Sequence, residues 1–168
     1  MPLPHWTAAH LLPQGRHPAD LADIYERLVY DAPQPHQREV LFSALSSYLA
    51  AVSQVMPSGR AWIGGNWTMR TEDLGGGVDV VLIPDDWGSL KRLNDRAQAG
   101  LYGLLTLRGV IVERPVMYLE QVQPVGGLLD GYLCYPGDEQ TWANAWSSVR
   151  GPGGVAQGVS KGYPEVMW

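Results

Sequence analysis

The sequence predicts an α+β domain, and three observations support that fold class. A nearly continuous β-branched run at 78–83 indicates a central strand. Two segments before it, starting near 18 and 36, carry apolar residues at helical spacing. Hydrophobic residues make up 45% and charged residues 17% of 168, which is typical of one globular domain with its own core.

The chain is predicted to begin with an extended arm at 1–17, followed by a single domain at 18–168. Pro2, Pro4 and Pro13 fix φ and remove backbone donors, so this stretch favours no helix or central strand. We expect its apolar side chains to dock it on the domain.

Two helices are predicted next. The first begins near Pro18, a residue favoured in a first helical turn, and ends at the proline-containing stretch 31–35. The second runs from His36 to Val55 with an apolar stripe along one face, and the turn after it contains Pro57.

Strands and short helices fill the rest of the chain. The predicted elements are a strand at 61–63, the strand at 78–83, a helix capped by Asp86 or Ser89 and ending near Thr106, strands at 110–113 and 116–119, a helix at 141–149 and a last strand at 161–166. The segment 128–135 has no clear assignment. The glycine-rich segment 150–160 is predicted to be a mobile loop.

Composition excludes several functional classes. A net charge of -5 argues against a broad basic surface for nucleic acid, although a local patch that contacts RNA stays compatible with it. Cys134 is the one cysteine, so neither an internal disulfide nor a cysteine metal cluster can form. The sequence has no membrane-length apolar run and no secretion signal, and we therefore expect a cytoplasmic protein without a membrane partner.

The block from 62 to 83 carries the candidate chemistry. Glycines at 64 and 65 let backbone N–H groups approach a triphosphate closely. Asp79, near the start of the strong strand, offers a carboxylate for a divalent cation. The alternatives are an ordinary glycine turn and a buried acid bonded to backbone amides. Trp67 and Trp87 flank this block and are candidates for stacking on a base, against a simple core role.

The motif Trp62-Ile63-Gly64-Gly65-Asn66-Trp67, followed by Val78-Asp79-Val80-Val81-Leu82, resembles the signature of the nucleotidyltransferase superfamily. More closely, the chain resembles a bacterial and phage family of that kind, with further likeness at 12–18, Arg38 and Lys161-Gly162. The resemblance implies a mixed β-sheet with helices packed mainly on one face.

The same resemblance implies roles for individual residues. It makes Asp79 and Glu113 the catalytic metal ligands for Mg²⁺, and it assigns nucleotide binding to Gly64, Gly65, Asn66, Lys161 and Arg38. From the residues alone, a glutamate at position 113 is more often an exposed edge residue of a strand than a metal ligand, and that interpretation is favoured.

Two departures from the family pattern matter. Asn66 replaces a serine, and an amide can still hydrogen-bond a phosphate. Gly77 replaces the first acid of Asp-x-Asp, which is more severe because two cations need bridging carboxylates. Glu113 is the candidate replacement, and Asp73 or Glu72 could approach from the spacer.

Three functions are compatible with this pattern. The first, favoured by Gly77, is a weakened or inactive nucleotidyltransferase fold. Such a protein would bind a nucleotide, an RNA end or a toxin or antitoxin partner, in a toxin–antitoxin or phage-defence system. The second is an active Mg²⁺-dependent enzyme that uses an NTP to modify RNA or protein. The third is an interaction protein whose fold is unrelated to its role.

Overall fold

A five-stranded mixed sheet forms the centre of the computed structural model, which describes residues 2–113, 116–151 and 154–168. From one edge to the other, its strands are β1 (Gly15–Pro18), β9 (Gly162–Met167), β2 (Gly59–Gly64), β3 (Val78–Pro84) and β6 (Leu129–Leu133). The α+β class expected from the sequence is confirmed.

The strand directions bring the candidate motif to one end of the central strands. β2 is antiparallel to both β9 and β3, whereas β3 and β6 are parallel. The last residues of β2 therefore lie beside the first residues of β3, and β6 begins at this same end of the strands. In the register, Gly64 faces Asp79, and Asp79 faces Asp130.

The larger core lies between this sheet and the first helices. α1 (Leu21–Ile24) continues as a π-helical segment (Tyr25–Tyr30), and α2 (Pro35–Val55) follows. The predicted first helix starts too early. The Asp20 side chain accepts a hydrogen bond from the Asp23 amide, and the Asp20 amide donates to the Asp23 carboxylate in return, so the helix begins after Asp20.

The predicted arm is part of this core. Its end, Gly15–Pro18, is strand β1, which pairs in parallel with β9. Leu3 and Leu12 are buried in the larger core cluster. The arm therefore closes one edge of the sheet.

α5 (Glu139–Ser147) covers the other face of the sheet. A smaller cluster there contains Trp146 of α5 together with Val81 and Ile83 of β3. Val80 and Leu82 belong to the larger cluster, because side chains along a strand alternate between faces. α1, the π-helical segment and α2 thus share one face, in line with the prediction that helices pack mainly on one face, and α5 lies on the other.

The predicted third helix is divided in two. α3 (Trp87–Leu90) is separated from α4 (Asp95–Gly103) because Asn94 starts a new helix, with its side chain accepting a hydrogen bond from the Ala97 amide.

Two hairpins lie outside the main sheet. β4 (Leu107–Glu113) pairs with β5 (Val116–Val122), and β7 (Ser148–Gly151) pairs with β8 (Gly154–Ser160). The prediction of a loop at 150–160 is therefore wrong. Its glycines include Gly154 and Gly158 at positive φ, so they shape a hairpin instead of preventing one.

Candidate functional site

A cleft of about 480 Å³ opens at the end of the sheet where strands β3 and β6 begin. One wall consists of Gly65 and Asn66 after β2 and of the glycines at 75–77 before β3. The opposite wall consists of α5 and parts of both hairpins. The cleft therefore lies at the sequence block that carries the candidate chemistry.

Asp79 and Asp130 form the floor of this cleft. They are register partners on parallel neighbouring strands, which lie about 4.8 Å apart. Both carboxylates line the cleft, on the sheet face opposite the larger core. The pair could share one cation between them.

Hydrogen bonds hold the Asp130 carboxylate in place. The Thr106 hydroxyl donates to its Oδ1 at 2.8 Å, and Gln121 Nε2 donates to the same oxygen at 3.1 Å. Thr106 is itself fixed, because its hydroxyl accepts from the Gly131 amide at 3.0 Å. Within the described residues, Oδ2 of Asp130 receives no hydrogen bond and is available to a ligand.

The surroundings of Asp79 disfavour its negatively charged form. Burial, and then the negative charge of Asp130, raise the pKa of the Asp79 carboxyl, while Lys161 and Arg150 oppose this rise. In the part of the chain that the structure describes, no hydrogen bond reaches its side chain. A bound cation would relieve this unfavourable charge.

Lys161 lies behind the glycine loop. Its side chain is buried, and Nζ donates to the Gly65 carbonyl at 2.8 Å and to the Thr68 hydroxyl at 2.6 Å. Burial lowers the pKa of Lys161 to about 8, although Asp79 favours its charged form. An ammonium group has three donors, so these two contacts leave one N–H for a ligand.

The glycine loop requires glycine for packing reasons. Gly65 has φ of +83°, and a Cβ there would lie 3.2 Å from Asp79 Oδ2. A Cβ on Gly64 would lie 2.6 Å from Nε1 of Trp146. These positions let the loop lie directly against the carboxylate and against α5. Asn66 then starts a short 3-10 turn and lines the cleft.

Gly77, which stands where an acid is expected, cannot carry a side chain in this backbone. Its φ is +135°, and a Cβ would lie 2.5 Å from the Leu128 carbonyl oxygen. That carbonyl also accepts the amide of Val78 at 3.1 Å. The absence of a carboxylate at position 77 therefore follows from the backbone conformation at the start of β3, which accommodates only glycine.

The second carboxylate of the cleft was missed by the sequence interpretation. Glu113, the expected second ligand, ends β4 in the separate hairpin, and its side chain lies outside the described residues. The strand that pairs with β3 is β6, and it brings Asp130. The unassigned segment 128–135 contained the signal, since Leu129 and Leu133 flank an acid in a short apolar run.

The structure does not bring Arg38 to the cleft. Its side chain is 0% exposed and lies in the core. Its guanidinium donates to five backbone carbonyls, at 2.7–2.9 Å, those of Leu28, Pro33, Trp67, Met69 and Thr71. Arg38 thus joins α2 to the segment after the glycine loop.

Other charged and aromatic residues of the cleft were not predicted. Arg108 of β4 and Arg150 of β7 add positive charge, and Tyr132, Trp142 and Trp146 add an aromatic wall. The expected aromatic residues lie elsewhere. Trp67 is fully buried, and Trp87 stacks on Tyr135 at 5.0 Å between ring centroids.

Two features are absent from the described residues. No group of three or more His, Cys, Asp or Glu side chains is placed to hold a metal ion. No helix has the length and apolar character needed to cross a membrane. Within that part of the chain, a cation in this cleft would have two carboxylates to bind, with water or ligand oxygens completing its coordination.

Comparison with known proteins gives one match. A protein-family model, described as a family of unknown function (DUF6932), matches residues 4–167. Neither the curated proteins nor the solved structures contain a match.

Proposed function

We propose that this chain, which belongs to the family of unknown function DUF6932, binds a nucleoside triphosphate with one divalent cation and has weak or no nucleotidyl transfer. The observation that carries the proposal is the register pair Asp79 and Asp130 at the floor of a cleft beside buried Lys161.

The carboxylate pair is suited to a hard cation such as Mg²⁺. This ion usually takes one or two protein carboxylates and completes its octahedron with water and phosphate oxygens. Asp130 has a free Oδ2 fixed by the bonds to its other oxygen, and Asp79 lacks a hydrogen-bond donor among the described residues. A cation would satisfy both groups.

The rest of the cleft is suited to a polyphosphate. Lys161, Arg108 and Arg150 supply positive charge around the carboxylates, although the whole chain carries -5. Gly65 keeps the backbone close to the Asp79 carboxylate. A triphosphate chelated to a cation matches this alternation of negative and positive groups.

Weak transfer follows from the number of carboxylates. Two-metal catalysis places two ions about 4 Å apart on shared carboxylates, so that both the attacking and leaving oxygens are stabilised. Among the described residues that line the cleft, Asp79 and Asp130 are the only carboxylates, which are fewer than two ions need, and the backbone at Gly77 leaves no room for an acid at that position.

An active Mg²⁺-dependent nucleotidyltransferase is the second candidate. One observation favours it, namely that Asp130 provides a second in-register carboxylate where the sequence indicated only Asp79. Turnover of radiolabelled NTP with RNA and protein acceptors, lost in Asp79→Asn, would favour this candidate over a binding protein.

Calorimetric titration with NTPs, with and without Mg²⁺, tests the proposed function. We expect Mg²⁺-dependent binding by the wild type, and its loss in Asp79→Asn and in Asp130→Asn. Asp85→Asn is the matched control, because Asp85 is exposed beyond the other end of β3. Absence of NTP binding by the folded wild type would overturn the proposal.

A biological context follows only from the resemblance. A role in toxin–antitoxin or phage-defence systems would require a toxin or antitoxin protein, or an RNA, that binds this chain. Co-purification of the tagged wild type and of Asp79→Asn with the products of neighbouring genes would test this role. A partner retained by both forms would indicate binding that does not need the cation.

A further inference from the structure

Three aromatic rings form one wall of the cleft. Trp142 lies 5.1 Å from Trp146 at a steep angle and 5.3 Å from Tyr132, between ring centroids. Such spacing is within the usual range of favourable aromatic pairs. The rings therefore support one another as a rigid group.

The three rings differ in what holds them. Trp146 is buried, and its indole N–H donates to the Trp62 carbonyl at 3.0 Å, so its packing and its hydrogen bond are both satisfied. Trp142 and Tyr132 are only half-buried and line the cleft. Their rings thus present apolar surface to the cleft, beside the carboxylates and Lys161.

The position of this surface is set by β6. Asp130 and Tyr132 are two residues apart on one strand, so they share a face at about 7 Å from each other. That separation is comparable with the span of a ribose between a phosphate and its base. A nucleotide with its phosphates at the carboxylates would place its base at these rings.

Arg108 supports the orientation of Tyr132. It extends from β4 and hydrogen-bonds the tyrosine side chain. Burial, and then the charges of Asp130 and Asp79, raise the pKa of Tyr132, whereas Arg108 opposes this rise. The ring is thus held between α5 and a cationic side chain. A preorganised ring loses little conformational freedom when a ligand stacks on it.

On this geometry, and resting on the proposed function, we propose that Trp142 and Tyr132 form a stacking site for the nucleobase. The ligand class is therefore a nucleoside triphosphate and not an inorganic polyphosphate. Stacking uses the π-face that all bases share, so purines should bind more tightly than pyrimidines through their larger area, without strict selection.

The test compares ATP, CTP and inorganic tripolyphosphate by calorimetry in the presence of Mg²⁺. We expect the wild type to bind ATP more tightly than tripolyphosphate by about tenfold, the usual contribution of one stacked base. Trp142→Ala should remove most of this difference and leave tripolyphosphate affinity unchanged. Tyr135→Ala is the matched control, because Tyr135 is exposed and lies in an aromatic pair outside the cleft.

Each outcome decides between the two proposals. Equal affinity of the wild type for ATP and tripolyphosphate would overturn the stacking site and leave the cation and phosphate site standing. Binding of neither ligand would overturn both proposals. Should Trp142→Ala not fold, Trp142→Leu keeps most of the packing volume but removes the aromatic face, and it should show the same selective loss of ATP affinity.

Discussion

Lys161 Nζ donates a hydrogen bond to the carbonyl oxygen of Gly65 at 2.8 Å, which ties the entry of β9 to the glycine loop. The same ammonium donates to Thr68, so one buried cation fixes both ends of a short turn. The loop that borders the candidate phosphate site thus depends on a residue almost a hundred positions away.

Lys161 should make stability depend on pH in the alkaline range. Its folded-state pKa of about 8 lies below the ordinary value of 10.5, so the folded protein binds fewer protons than the unfolded chain between these values. The free energy of unfolding should therefore rise with pH from about 8 to 10.5. We expect Lys161→Met to lack this rise, and urea unfolding at several pH values measures it.

Lys91→Met is the control for that experiment. Lys91 is exposed and is the only other lysine of the chain, so its removal should leave the pH dependence unchanged. An identical pH profile in wild type and Lys161→Met would contradict the buried environment assigned to Lys161.

Asp79→Asn should stabilise the protein in the absence of ligands. Because the pKa of Asp79 is raised, the folded state binds this proton more tightly than the unfolded chain does. The free energy of unfolding therefore falls as pH rises from 3.8 to the folded-state pKa, and it stays lower at neutral pH. The neutral amide removes this penalty. We expect a higher melting temperature at pH 7, with the difference vanishing near pH 3.

Mg²⁺ should reverse that ranking. Binding to the folded state alone raises the stability of the wild type with increasing cation concentration, whereas Asp79→Asn should not respond. Differential scanning fluorimetry with Mg²⁺ and with matched NaCl separates cation binding from ionic strength. If Asp79→Asn gained as much stability from Mg²⁺ as the wild type, the cation would bind at a site that does not include Asp79.

Gly77→Asp should destabilise the protein much more than Gly76→Asp. Positive φ and the contact with the Leu128 carbonyl both oppose a side chain, and we expect a loss of roughly 2 kcal/mol or more in unfolding free energy. Gly76→Asp is a matched control, because its Cβ would meet no atom within 4 Å. Equal stability of the two variants, measured by chemical denaturation, would contradict the backbone explanation of the missing acid.

Thr106→Val should weaken Mg²⁺-dependent binding without removing a ligand. The hydroxyl donates to Asp130 Oδ1, and loss of such an orienting bond typically costs about 10–100-fold in metal affinity. Thr106→Ser keeps the hydroxyl and should retain most of the affinity. Equal affinity of all three proteins in calorimetry would mean that Asp130 needs no orientation, or takes no part in cation binding.

Arg38→Lys should destabilise the fold rather than affect the cleft alone. Lysine cannot reproduce the five-bond pattern of the guanidinium, so carbonyls before α2 and after the glycine loop lose partners, at a cost of about 3 kcal/mol. Arg96→Lys, at an exposed position of α4, should be neutral. Denaturant unfolding of the two variants tests this difference.

Local features of this protein can be predicted from neighbouring residues in the chain. The β-branched run became β3, the apolar stripe became α2, and the glycines after β2 became the loop beside Asp79. These features depend on neighbours within a few residues, where periodicity and backbone freedom act directly.

Tertiary structure alone decided which groups meet in the cleft. Asp130 pairs with Asp79 because a strand 51 residues later in the chain lies beside β3, and Arg38 is in the core because distant carbonyls accept its hydrogen bonds. The resemblance assigned Arg38 to the nucleotide, whereas the fold uses it for packing. Pairing between strands and satisfaction of buried polar groups depend on contacts across the whole chain, and no local pattern specifies them.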